Sequence, residues 1–113
     1  MATRKPIRWL TEARGVPNPP FGDEARQAIG TFLRILQEGG RVTGPASKMM
    51  PVIGARVHEL RVTDREANAH WRIVYRTDPD AIVVVSYYDK NTQEMPPREI
   101  TLAQKRLREY DDE

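Results

Sequence analysis

The chain contains no cysteine. That excludes a disulfide framework and every thiolate metal site, and it suits a reducing compartment. Only two histidines are present, His58 and His70, with no carboxylate at ligand-like spacing, so a metal site is not expected. The longest apolar run, Ala81–Val85, is too short to span a membrane. The opening MATRKPIRWLTEARG lacks an apolar h-region, so no signal peptide is expected and a cytoplasmic protein is. There is no Gly-x-Ser-x-Gly, no P-loop and no dinucleotide glycine pattern. Leucine, isoleucine, valine and phenylalanine make up only 24 of 113 residues. A single domain over 1–113 with a real but small core is the expectation.

Charge is present but unevenly placed. The net value is +2. Residues 1–76 carry 13 Lys/Arg against 7 Asp/Glu, and residues 77–113 carry 5 against 9. Arginine outnumbers lysine 14 to 4. A planar guanidinium binds phosphate through two bonds where an ammonium acts as a point charge, so a basic body rich in arginine points towards nucleic acid. A GC-rich genome produces the same excess.

Periodicity outlines the elements. KPIRWL (5–10) alternates weakly and reads as a short edge strand, and GVPNPPFG (15–22) reads as a loop. Asp23 is placed to cap a helix whose stripe is Ala25, Ile29, Phe32, Leu33 and Leu36, stopped by Gly39 and Gly40. Residues 41–55, with two prolines and two glycines, read as a long connection. RVHELRV (56–62) and HWRIVYR (70–76) alternate as strands. IVVVSYY (82–88) is apolar on both faces and reads as a central strand covered by a helix. DKNTQEM is a loop, and Pro96 and Pro97 open a last helix with the stripe Ile100, Ala103, Leu107 and Tyr110 before a frayed acidic tail. The expected fold is α+β: a small antiparallel meander flanked by an N-terminal and a C-terminal helix.

The candidate chemistry lies on the strands. A simple hairpin at 77–81 brings Arg72 near Ser86 and His70 near Tyr88, with Lys90 just past the strand end. Glu59 and Arg61 share a face with Arg72 if the register allows it. Such a set suits phosphodiester cleavage by an internal nucleophile. An RNA 2′-OH attacks its own phosphate, and the protein moves protons and neutralises the phosphorane. Arginine and lysine do the last. Glu59, His58, Tyr88 or Lys90 are the proton carriers left open. Lys48, Arg56, Arg76 and Tyr88 are the residues expected to contact RNA. The same Arg/Glu alternation also describes a solvated sheet face with cross-strand pairs.

Nearly the whole chain resembles the RelE/HigB toxins of bacterial toxin–antitoxin pairs, in their phage-derived, host-inhibition branch. KPIRWL resembles the branch's Lys-Pro-φ-x-Trp-Leu start, and ARQAIGTFLRILQEGG its first helix. SKMMPVIGARVHELRV is similar to Lys-x-Met-x-x-φ-Gly-x-x-Val-x-Glu-φ-Arg, and HWRIVYR to an aromatic-Arg-φ-φ-Tyr strand. YYDKNTQEMPPREITLAQKRLREY resembles Phe-x-Lys-Lys-Thr-Gln-x-Thr-Pro and the closing helix. The resemblance implies a ribosome-dependent mRNA endonuclease that leaves a 2′,3′-cyclic phosphate and uses no cofactor. It implies a partner antitoxin, often a helix-turn-helix protein encoded nearby, with operator DNA reached only through that antitoxin. It carries Arg72, Lys90 and Arg61 into the catalytic set. Two lysines of RelE-type members are replaced here by Val57 and Glu59, and the second lysine of Lys-Lys-Thr is Asn91, which leaves the general base open. The superfamily also holds ParE-type toxins that block gyrase by binding, and that reading, like a nucleic-acid-binding accessory protein, is the alternative.

Overall fold

The computed structural model describes residues 4–10, 21–90 and 94–113. Most of the expected 15–22 loop, and Asn91, lie outside the described residues. Five strands and two main helices follow in the order β1 (Ile7–Trp9), α1 (Asp23–Gln37), β2 (Ser47–Met49), β3 (Val57–Asp64), β4 (Ala69–Thr77), β5 (Ile82–Asp89) and α2 (Pro97–Asp111). A short 3-10 turn, Gly44–Ala46, precedes β2.

Strands β3, β4 and β5 form the expected antiparallel meander. The sheet order is β1-β5-β4-β3-β2. Two features extend the expectation. β1 joins the edge of β5 in parallel, so the sheet is mixed. Residues 47–49, read as part of a connection, pair antiparallel with β3. Their three residues are too few to show a period of two, and the flanking glycines and prolines mask them.

Each helix covers one face. Ala25, Ile29, Leu33 and Leu36 of α1 pack with Phe21, Leu60, Val62, Trp71, Ile73, Tyr75, Ile82 and Val84. Ala103 and Leu107 of α2 pack with Val57, Val74, Val83, Val85 and Tyr88 on the other face. β5 therefore buries both its faces, which is why its sequence shows no alternation. Gly22, not Asp23, stands at the N-cap of α1. Asp64 performs the capping from β3: its carboxylate accepts from Gly22 N at 2.7 Å, from Ala67 N at 3.1 Å and from Trp71 Nε1 at 2.8 Å. Those donors, the Gly22 N–H first, hold Asp64 below the usual carboxylate range against the opposing effect of burial. A Cβ at Gly22 would lie 2.6 Å from Asp64 Oδ1, so the close approach requires glycine. At the other end Gly39 has φ +88, and Gly40 N donates to Ile35 O while Gly39 N donates to Leu36 O. This double bond pattern is a Schellman stop, as the paired glycines predict.

The hairpin β4–β5 departs from simple pairing. The turn aligns Thr77 with Ile82, one residue off the expected register. Partners then step from Tyr75↔Val84 to Val74↔Ser86, which leaves Val85 as an extra residue. The two shifts together place Tyr88, not Ser86, opposite Arg72. Because side chains alternate with period two, the bulge turns Tyr88 onto the α2 face, where without it Tyr87 would stand. Arg106 of α2 holds the bulge by donating from Nη1 to Val85 O at 2.9 Å.

Candidate functional site

On the α2 side, strands β3 and β4 set Arg61 directly opposite Arg72, and β2 sets Lys48 opposite Glu59. Two guanidiniums across a strand pair repel each other. Glu59 relieves that repulsion. It is 1 % exposed, and its Oε1 lies 3.6 Å from the Nε of both Arg61 and Arg72. Its other oxygen, Oε2, accepts the Tyr88 hydroxyl at 3.0 Å. Glu59, Arg61, Arg72 and Tyr88 are thus brought together as the alternation suggested, once the bulge supplies the tyrosine.

The hold is electrostatic more than hydrogen-bonded. Neither Arg61 Nε nor Arg72 Nε, both buried, makes a hydrogen bond. Arg72 spends one donor, Nη1, on Trp71 O at 3.2 Å. Among the described residues the Arg61 guanidinium has no other partner than Glu59. Buried donors left incomplete in this way are costly; the donors left for a ligand are the Nη groups of Arg61 and Nη2 of Arg72.

Two neighbours have altered acidity. Burial pushes the Tyr88 phenol up, and the negative charge of Glu59 adds to it, with a smaller contribution from Glu99 of α2. Tyr88 is therefore a proton donor at neutral pH and not a base. Lys90 is pushed down, first by desolvation and then by the repulsion of Arg72, Arg61 and Lys48, while Glu59 opposes the shift. Its backbone N–H continues the ladder to His70 O at 2.9 Å. The rim thus gathers four cations, Lys48, Arg61, Arg72 and Lys90, around one buried carboxylate.

Three expected site residues lie elsewhere. His58 is on the α1 face, its ring stacked on Tyr75 at 5.4 Å, so it does not meet Glu59; strand alternation sends neighbours to opposite faces. Arg76 shares the face of Arg72, but its donors are taken. Nε and Nη2 bond Asp78 at 2.7 and 2.9 Å, and Nη1 and Nη2 bond Asp111 at 3.0 and 2.7 Å. It is an anchor for the end of α2, not an open RNA contact, and it holds the Asp111 carboxyl below its usual range. Asp111, read as the start of a frayed tail, is the last residue of that helix. Arg56, at φ +61, lies against Thr77 O at 3.1 Å and Asp78 at 3.5 Å. His70 and Ser86 are not opposite Tyr88 and Arg72, as the bulge requires. The sequence reading missed Arg106 and Asp78. The polar turn two residues after Arg76 was the only local signal for Asp78, and nothing local marks Arg106.

No three His, Asp or Glu among the described residues are grouped to hold a metal ion. None of the described helices is long and apolar enough to cross a membrane. No curated protein matches the chain. The profile of the phage-derived Gp49-like proteins (DUF891) matches residues 20–108, from the glycine-capped start of α1 to the last turn of α2, and takes in the whole charged cluster. The chain therefore belongs to the phage-derived Gp49-like family, a family of RelE/ParE-like toxins.

Proposed function

We propose that the Glu59 face is the active site of a ribosome-dependent mRNA endonuclease, the toxin of a toxin–antitoxin pair. The observation that carries this reading is the pair of guanidiniums, Arg61 and Arg72, fixed by one buried carboxylate with their Nε groups unsatisfied. A scissile phosphate entering here meets donors preset for its non-bridging oxygens. Those bonds strengthen as charge builds in the phosphorane.

The substrate's 2′-OH is the nucleophile, so the protein needs no serine or cysteine. Lys90, with its amine made less basic by desolvation and by its cationic neighbours, is suited to take the 2′-OH proton. The P–O5′ bond breaks as the 2′-O–P bond forms, the proton held by Lys90 goes to the leaving 5′-oxygen directly or through water, and a 2′,3′-cyclic phosphate remains. Glu59 is a positioning residue: hemmed in by Tyr88, Arg61 and Arg72, it has little access to a substrate proton. Lys48 and Tyr88 flank the backbone path. The face is small, and the ribosome supplies the remaining alignment of the mRNA in its A site. A helix-turn-helix antitoxin, encoded nearby, neutralises the toxin by covering this cationic surface with acidic or amphipathic segments.

The experiment is brief induction followed by primer extension. In-frame cuts within translated codons support the reading. Intact mRNA accompanied by a DNA-damage response would instead assign the chain to gyrase inhibition.

A further inference from the structure

A second cavity, of about 700 Å³, opens on the other side of the sheet, between the end of α1, the 41–44 segment, β2 and β3. Its volume lies in the range of small-molecule sites. All charged side chains that line it are basic: Lys5, Arg41 and Arg56, with the imidazole of His58 beside them. No carboxylate lines it, although Asp78 lies behind Arg56. Anions are therefore favoured there.

The aromatic part of the wall is preorganised. His58 stacks on Tyr75 with an interplanar angle of 18°, and Tyr75 is 1 % exposed, so one face of the imidazole is covered and fixed. His58 Nδ1 lies 3.2 Å from Arg56 O. A carbonyl only accepts, so Nδ1 is the donor of that bond, and Nε2 is the ring nitrogen left for a ligand. Tyr75 Oη is held by Ser47 Oγ at 3.0 Å, which locks the ring beneath. The backbone N–H groups of Arg41, Val42 and Thr43 have no acceptor among the described residues. Gly44 follows with φ +73, and residues 41–44 all line the cavity.

We propose that this cavity binds one nucleotide, its phosphate on Arg41 and Lys5, its base against His58. The combination of a fixed aromatic ring and a cationic rim suits that ligand. The nucleotide is either free or part of a single RNA strand. The site lies on the face opposite Glu59 and does not rest on the nuclease reading.

Calorimetric titration of the full chain with AMP, with inorganic phosphate and with a short single-stranded oligoribonucleotide tests it. AMP or the oligonucleotide should bind at least tenfold more tightly than phosphate. The Kd should rise at least tenfold in both His58→Ala and Arg41→Ala, and stay unchanged in Lys105→Ala, which removes an exposed cation of α2. Arg41 is exposed, so Arg41→Ala keeps the test valid should loss of the His58 stack unfold the chain, which circular dichroism would report. Binding of AMP identifies a free nucleotide as the ligand, and binding of the oligonucleotide alone identifies an RNA strand. Binding no tighter than phosphate, or binding kept in folded Arg41→Ala and His58→Ala, overturns the proposal.

Discussion

Arg72 and Arg76 lie on one strand and point to one face, yet they live in opposite regimes. Arg76 meets two carboxylates with geometry close to ideal, at 2.7 to 3.0 Å, and closes the end of α2 onto the sheet. Tyr110 lies under its guanidinium at 5.9 Å. Arg72 shares a single carboxylate with Arg61, at 3.6 Å, and leaves a buried nitrogen without a partner. A cation whose donors are saturated contributes to folding. A cation held in place but left incomplete is available to a ligand. The difference separates an anchored end of the face from an open end, within four residues.

The largest effect should come from breaking the saturated end. Arg76→Ala leaves the buried Asp78 with only the 3.5 Å contact of Arg56, and removing one member of a buried pair costs about 3–5 kcal/mol, with the lower end expected here. Urea unfolding should show that loss, while cleavage per folded molecule stays near wild type. Arg72→Ala should do the reverse. Loss of one transition-state donor lowers the rate on the order of 10²–10³-fold, about 3–4 kcal/mol, with folding and antitoxin pull-down retained. If both variants lost stability and activity in parallel, the contrast between the two arginines would collapse. Arg34→Ala, on the exposed side of α1, should leave growth arrest on induction unchanged.

Smaller effects sharpen the contrast. Lys90→Ala should slow cleavage on the order of 10²-fold, the low end of what a general base contributes. The pH profile identifies its role. Wild-type cleavage should rise with pH and level off below the ordinary lysine value of about 10.4, because Lys90 is displaced downwards and its neutral form is the base. Lys90→Arg should lack that limb, and an unchanged profile would remove Lys90 from proton transfer. Asp111→Asn should cost under about 1 kcal/mol, since that carboxylate is half exposed. Its folded pKa is depressed by Arg76, so its contribution is complete above the unfolded value of about 3.9 and is lost as the pH falls through the folded one. The stability difference between wild type and Asp111→Asn should therefore vanish in strong acid, and persistence there would assign it to packing.

Much of the fold was legible in the chain, because its signals are local. The α1 stripe, the Gly39–Gly40 stop, the meander and the two-sided burial of β5 follow from spacing alone. Strand alternation also put Glu59 and Arg61 on one side of β3 and His58 on the other, and left it to the register whether Arg72 joins them. What escaped depends on partners distant in sequence. Val85 looks like any other residue of its apolar run, and only pairing with β4 makes it the bulge. Gly22 was one of two glycines in a loop, and the Asp64 carboxylate that requires it lies in β3. Arg72 and Arg76 are indistinguishable by alternation. Asp111, from the far end of the chain, decides which of them is open.

Mapping mRNA 3′ ends in a purified translation reaction, with and without ribosomes, tests the Glu59 face most directly. Wild-type protein should leave 2′,3′-cyclic phosphate ends within A-site codons only when ribosomes are present. Equal amounts of folded Arg72→Ala should leave the message intact. Equal cutting by Arg72→Ala, or an intact message with the wild-type protein on translating ribosomes, would contradict the assignment of this face as the nuclease site.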